Sequence, residues 1–150
     1  MTDNARCFAE LEALYKRVDG ELGSGRACRA CGRCCHFDTY GHRLYATYLE
    51  ALYLVAKNGP PPGPFDADTC GYQAGDACAA REGRVLGCRT FFCIDAGGEN
   101  RESYERALAE IRRISDAFRV PWDYRTLAEN VARIPAAADA SRRPARKCSK

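Results

Sequence analysis

The chain of 150 residues contains no apolar run longer than six, Ala51 to Ala56, where a membrane-spanning helix needs roughly 20. No membrane span is expected. The basic-then-apolar opening of a secretory leader is also lacking, because Asp3, Glu10, Glu12 and Asp19 fall among the first residues. A soluble, cytoplasmic protein is the resulting expectation. Charge of one sign is scarce: 23 Lys and Arg against 20 Asp and Glu give +3, too little to imply nucleic acid or membrane by itself. There is no glycine-rich nucleotide loop, no nucleophile elbow and no pair of catalytic carboxylates. No catalytic constellation is therefore legible outside any metal site, and whether the chain is an enzyme stays open at this level. Histidine is limited to His36 and His42, and no internal repeat of useful length is visible.

Cysteine, by contrast, is abundant, at ten residues. A chain of this length can bury a core without staples, and in a cytoplasmic protein so many thiols point to metal or redox chemistry rather than to disulfides.

Periodicity predicts mainly α structure with minimal sheet. Phe8, Leu11, Tyr15 and Val18 recur at helical spacing from Asp3 to about Val18, and Gly20, Gly23 and Gly25 are expected to end that helix. After a short extended segment at Leu44 to Ala46, Thr47-Tyr48-Leu49-Glu50 has the form of a capping box. The helix it opens should run from Tyr48 to Lys57, bury Leu49, Leu52 and Val55 or Ala56, and stop at Asn58-Gly59. Pro60, Pro61, Pro62 and Pro64 form a stiff connector. A long helix from about Glu99 to Phe118 shows Tyr104, Leu108, Ile111, Ile114 and Phe118 on one face. Pro121 ends it, and Asp123 is positioned to cap a shorter helix to about Ile134 carrying Leu127, Val131 and Ile134. The expectation is one domain over 1–140, built of about four helices and two irregular cysteine-rich, metal-binding loops, with a motif core at 26–95.

Residues 141–150 carry five basic residues and no acidic one, which leaves the body at −2. This tail is expected to be disordered. No nucleic-acid partner is expected, and a weak contact through the tail is the alternative to a merely solvated terminus.

The two loops hold the chemistry. Cys28-Arg29-Ala30-Cys31-Gly32-Arg33-Cys34-Cys35 reads C-x2-C-x2-C-C, a spacing that lets tight turns aim successive thiolates at one centre. The same spacing wraps one corner of an iron-sulfur cube, with a further ligand arriving from a distance. Neighbouring side chains diverge, so Cys35 is a candidate for a second site. With Cys70, Cys78, Cys88 and Cys93 downstream, eight thiols suffice for two four-thiolate sites. Metal would replace the missing apolar contacts, since ligation is worth about 10–16 kcal/mol of folding free energy in small zinc modules. Arg29, Arg33 and Arg89 are candidates to stabilise the thiolates, the plainer reading being exposed loop arginines. His36, beside Cys35, and His42 are lesser ligand candidates. Glu50 has its simplest role in reciprocal capping with Thr47. Cys7 and Cys148 read as ordinary free thiols.

The C-x2-C-G-x-C-C run, the Glu-headed helix after it, the proline-rich connector, Cys70, and Cys88-Arg89-Thr90-Phe91-Phe92-Cys93 together resemble the YkgJ-type cysteine-cluster family, described as zinc- or iron-chelating. The resemblance covers about residues 26–95. It implies metal binding through Cys28, Cys31, Cys34, Cys35, Cys70 and Cys88, with Cys78 in the place of the family's intervening cysteine. The chain departs from the family's usual Cys-x-Ile-Tyr and Arg-Pro at Cys78-Ala79-Ala80-Arg81 and Val85-Leu86-Gly87. A flagellin lysine methylase with a similar cysteine motif and an iron-sulfur cluster favours iron-sulfur over zinc.

Three functions follow. The first is a metal-binding module whose partner is the metal ion. The second is a small iron-sulfur-dependent enzyme or electron carrier. The third, thiol redox chemistry at Cys28-x-x-Cys31 or Cys31-x-x-Cys34, lacks the strand-then-helix setting that such motifs use.

Overall fold

A computed structural model describes residues 2–22, 43–65, 69–74, 77–90 and 101–135. They are mainly helical, with two small two-stranded sheets. Helix α1, Asp3–Leu22, buries Cys7, Leu11, Leu14, Tyr15, Val18 and Leu22 along one stripe. It runs past Gly20, the first of the three glycines expected to end it, because one more turn lets Leu22 join the buried face while Gly20 lies on the open side, and it ends at Leu22, before Gly23.

Strand β1, Tyr45–Thr47, leads directly into α2, Tyr48–Asn58. The predicted capping box is present: Glu50 N–H donates to Thr47 Oγ1 at 3.2 Å and Thr47 N–H donates to Glu50 Oε2 at 2.8 Å. The helix ends where expected, at Gly59, whose φ of +75° suits a residue without a Cβ. Its buried face is broader than predicted. Leu49 and Val55 are buried together with Glu50, Ala51, Tyr53 and Leu54, whereas Leu52 is half-buried and Ala56 exposed. The helix is enclosed from two directions, so a single stripe does not describe it.

Beyond the proline connector come a hairpin of β2, Gln73–Ala74, and β3, Ala77–Cys78, then a 3-10 turn at Arg81–Gly83 and a five-residue helix α3, Leu86–Thr90. The glycine-punctuated sequence predicts an irregular region here, and its elements among the described residues are only two to five residues long. Helix α4, Arg101–Ala117, packs along α1. Ala107, Ile111 and Ile114 are buried, with Tyr104, Leu108 and Phe118 half-buried against the same cluster. Arg17 clasps Glu110 across this interface at 2.8 and 3.4 Å.

The last helix begins later than predicted. Residues Tyr124–Thr126 form strand β4, and α5 spans Leu127–Ala132 with Thr126, not Asp123, as its cap. Asp123 instead accepts Arg125 and Arg133 on its carboxylate and Tyr48 N–H on its carbonyl, the last at 2.9 Å. The three residues between Asp123 and the first helical residue, Leu127, are taken up by the strand.

Strands β1 and β4 pair antiparallel, Tyr45 opposite Thr126 and Thr47 opposite Tyr124. Tyr48 N–H donates to Asp123 O at 2.9 Å and Leu127 N–H donates to Leu44 O at 2.8 Å. Residues 44–50 and 123–129 are thus equivalent under a local two-fold. Each carries Tyr-x-Thr-x-x-Glu, and each closes a capping box, Thr126 with Glu129 repeating Thr47 with Glu50. Six positions with three matches are too short to register as a repeat in the sequence. Tyr45 and Tyr124 stack across this pair with centroids 5.7 Å apart, and Tyr104 and Tyr124 share a hydrogen bond through their hydroxyls.

Two apolar clusters result. One lies among α1, α2 and α4 around Leu11, Tyr15, Leu49, Tyr53 and Ile111. The other lies between α2, the β1–β4 pair and the cysteine-bearing elements, around Ala46, Leu54, Tyr72, Val85 and Leu127. No helix among the described residues is long and apolar enough to cross a membrane.

Candidate metal centre

The second apolar cluster gathers three of the predicted ligands. Cys70 is buried within it, and Cys78 and Cys88 are half-buried against it. Each is delivered by a different local device. Cys70 follows the proline connector, which folds back on it: Gly63 N–H donates to Gly71 O at 3.0 Å, and a Cβ on Gly71 would lie 2.7 Å from Phe65 Cδ2 and 2.8 Å from Pro61 Cβ. Only glycine permits this approach beside Cys70. Tyr72 anchors the same turn, its hydroxyl donating to Gly59 O at 2.7 Å and its ring meeting Phe65 edge-on.

Cys78 lies on β3 opposite Gln73, so the hairpin returns it toward Cys70, whose carbonyl accepts from Gln73 N–H at 3.1 Å. Cys88 stands in the middle of α3, its N–H donating to Val85 O at 3.0 Å. Thiols are soft donors suited to zinc or iron-sulfur rather than to magnesium or calcium, and this chemistry fits the expected groups. Among the described residues no three Cys, His, Asp or Glu side chains are grouped so as to hold a metal by themselves. Cys70, Cys78 and Cys88 share the apolar cluster without forming such a three-donor group, so a centre that includes any of them needs donors from elsewhere in the chain. Cys28, Cys31, Cys34, Cys35 and Cys93 lie outside the described residues, as do His36, His42, Arg29, Arg33 and Cys148.

Arg89, next to Cys88, is not the exposed loop arginine of the plainer reading. Its side chain is 7% exposed, pairs with Asp19 at 2.7 Å, and donates to Arg84 O at 2.8 Å and Glu82 O at 3.1 Å. The guanidinium also lies 4.1 Å from the Tyr15 ring centroid, within cation–π range.

Glu50 does more than cap its helix. It is 1% exposed, and its carboxylate also accepts Tyr15 OH at 3.1 Å and Leu86 N–H at 2.7 Å, both on Oε1. Burial pushes its carboxyl above the ordinary range, and the donors from Thr47, Leu86 and Tyr15 oppose that shift without cancelling it. Burial, reinforced by the Glu50 charge, likewise holds Tyr15 well above the usual phenol range, so Tyr15 stays a neutral donor. In the sequence Tyr15 stands out only as a position on an apolar helical face, and Leu86 only within the departure from the family pattern. The helical face at Tyr15 signalled burial, but nothing in the sequence pairs it with a residue 35 positions away.

Cys7 is buried on α1 among apolar neighbours, away from the other described cysteines, as a free thiol. Comparison with known proteins finds no matching family model, no matching curated protein and no matching solved structure.

Proposed function

We propose that this chain is a cytoplasmic cysteine-cluster module, similar to the YkgJ-type family, that holds an iron-sulfur cluster or zinc, with iron-sulfur favoured. The observation that supports the reading is the placement of Cys70, Cys78 and Cys88 on one apolar cluster by the turn before β2, by strand β3 and by the short helix α3. Regular helices, such as α1 and α4, fold around long apolar stripes. The span from Cys70 to Thr90 has no such stripe, and a shared ligand is a physical reason for it to be ordered. Cys28, Cys31, Cys34 and Cys35 supply the closely spaced half of the donor set, and Cys93 completes the eight. The cytoplasm suits such a site because thiols there are kept reduced.

The test is anaerobic purification followed by metal analysis, acid-labile sulfide analysis and a visible absorption spectrum on one sample. Brown protein with iron and sulfide establishes the cluster and excludes zinc as the resident metal. Colourless protein with one or two zinc ions per chain does the reverse. A folded chain that carries no metal and takes none up removes the proposal altogether.

A further inference from the structure

The short helix α3, Leu86–Thr90, carries Cys88 yet has only five residues, far fewer than an isolated helix needs to persist in water. Something outside it must hold it. Its first N–H, on Leu86, donates to the buried Oε1 of Glu50 at 2.7 Å, and that same oxygen accepts the Tyr15 hydroxyl at 3.1 Å. At the other end, Arg89 lies over the Tyr15 ring and pairs with Asp19, both residues of α1. Thr90 Oγ1 donates back to Leu86 O at 3.0 Å. Tyr15 therefore contacts both ends of the grip on α3, through its hydroxyl and through its ring. Cys88 stands between those two anchor points.

We propose that Tyr15 and Glu50 are positioning residues that set the Cys88 thiol for the metal, so that the packing of α1 on α2 and metal loading are one coupled event. The inference rests on the metal-binding reading above and adds the route by which the helical body reaches the site. It assigns Glu50 no place among the ligands. With both oxygens engaged by four donors from Thr47, Tyr15 and Leu86, its carboxylate orients the helix that bears a ligand.

The experiment uses the full chain with Tyr15→Phe, which removes one hydroxyl, and Tyr53→Phe as its control. Tyr53 packs edge-on against Tyr15 in the same apolar cluster, with centroids 5.8 Å apart, and does not contact Glu50 through its hydroxyl. Co2+ serves as the probe, titrated into metal-free reduced protein and followed by thiolate-to-metal absorption. Tyr15→Phe should weaken Co2+ binding about tenfold or more, the scale on which orienting partners of metal ligands act, while Tyr53→Phe leaves it unchanged. In the metal-free chain, peptide mapping after alkylation should show Cys88 reacting faster in Tyr15→Phe with Cys7 unchanged. Cys7 reports global opening, so a rise in both thiols together would reveal mere destabilisation and overturn the inference. Equal Co2+ affinity in the two variants would overturn it as well and leave the metal reading intact. A wild-type chain that binds neither iron, zinc nor Co2+ removes the metal reading first and this inference with it.

Discussion

Asn130 donates from Nδ2 to the carbonyl of Ala46 at 2.8 Å, across 84 residues of sequence, and to the carbonyl of Asp123 at 3.0 Å. One fully buried carboxamide thus ties α5 to β1 and to the residue that leads into β4. Asn130→Ala removes both bonds, the Asp123 carbonyl keeping Tyr48 N–H, and two hydrogen bonds at about 0.5–1.5 kcal/mol each sum to about 1–3 kcal/mol. A loss of that size in urea-unfolding stability is expected, and an unchanged midpoint would show that water replaces the side chain.

Ser115 is the opposite case. It is fully buried on α4 and its hydroxyl has no hydrogen-bond partner among the described residues. Alanine removes a desolvated polar group and is the better helix former. Ser115→Ala should therefore raise stability by about 1 kcal/mol, read as an upward shift of the thermal midpoint. A drop would mean that the hydroxyl has a partner after all.

Glu50 should leave a mark on the pH profile. Its carboxyl lies above the ordinary range in the folded chain, chiefly through burial, so the folded state holds that proton more tightly than the unfolded state. The associated stability is complete below the unfolded value of about 4.3 and is lost as pH rises through the folded value. Denaturant midpoints of metal-free protein should carry this fall above about pH 4.3, and Glu50→Gln should lack it. Parallel pH profiles for the two proteins would contradict the assignment.

Cys7 should be inert in the native chain. Burial, with a smaller contribution from Glu10, pushes its thiol up to about 11, so little thiolate is present near neutrality. Alkylation followed by mass spectrometry should label it only after denaturation. Rapid native labelling would show that α1 opens locally.

The metal reading separates the cysteines into working and bystander groups. Cys31→Ser or Cys34→Ser should strip the metal or unfold the loop, whereas Cys148→Ser should do neither, as read by metal content of the purified protein. Metal loss on replacing Cys148 would redraw the ligand set.

Much of the helical framework is legible in the sequence because its causes are local. Apolar spacing marks α1 and α4, and Thr47 with Glu50 announces the start of α2, where both capping bonds form. The four-residue reach of those signals also explains where they fail. At Asp123 two local rules compete, a helix cap or a strand end, and the antiparallel pairing of Tyr124 with Thr47 decides for the strand. At α3, a glycine-punctuated sequence becomes helical because Glu50 satisfies its first N–H.

The sequence by itself determined the mainly helical class, the helix caps and stops of α2, and a cysteine spacing suited to metal. Only the tertiary structure decided that Cys70, Cys78 and Cys88 share one apolar cluster, that Glu50 serves Tyr15 and Leu86 as well as its own helix, and that two distant Tyr-x-Thr-x-x-Glu segments face each other. Local order arises from spacing and capping within a few residues. The other relationships are partnerships between segments whose proximity is set by burying apolar surface, a non-directional force that leaves no short-range trace in the chain.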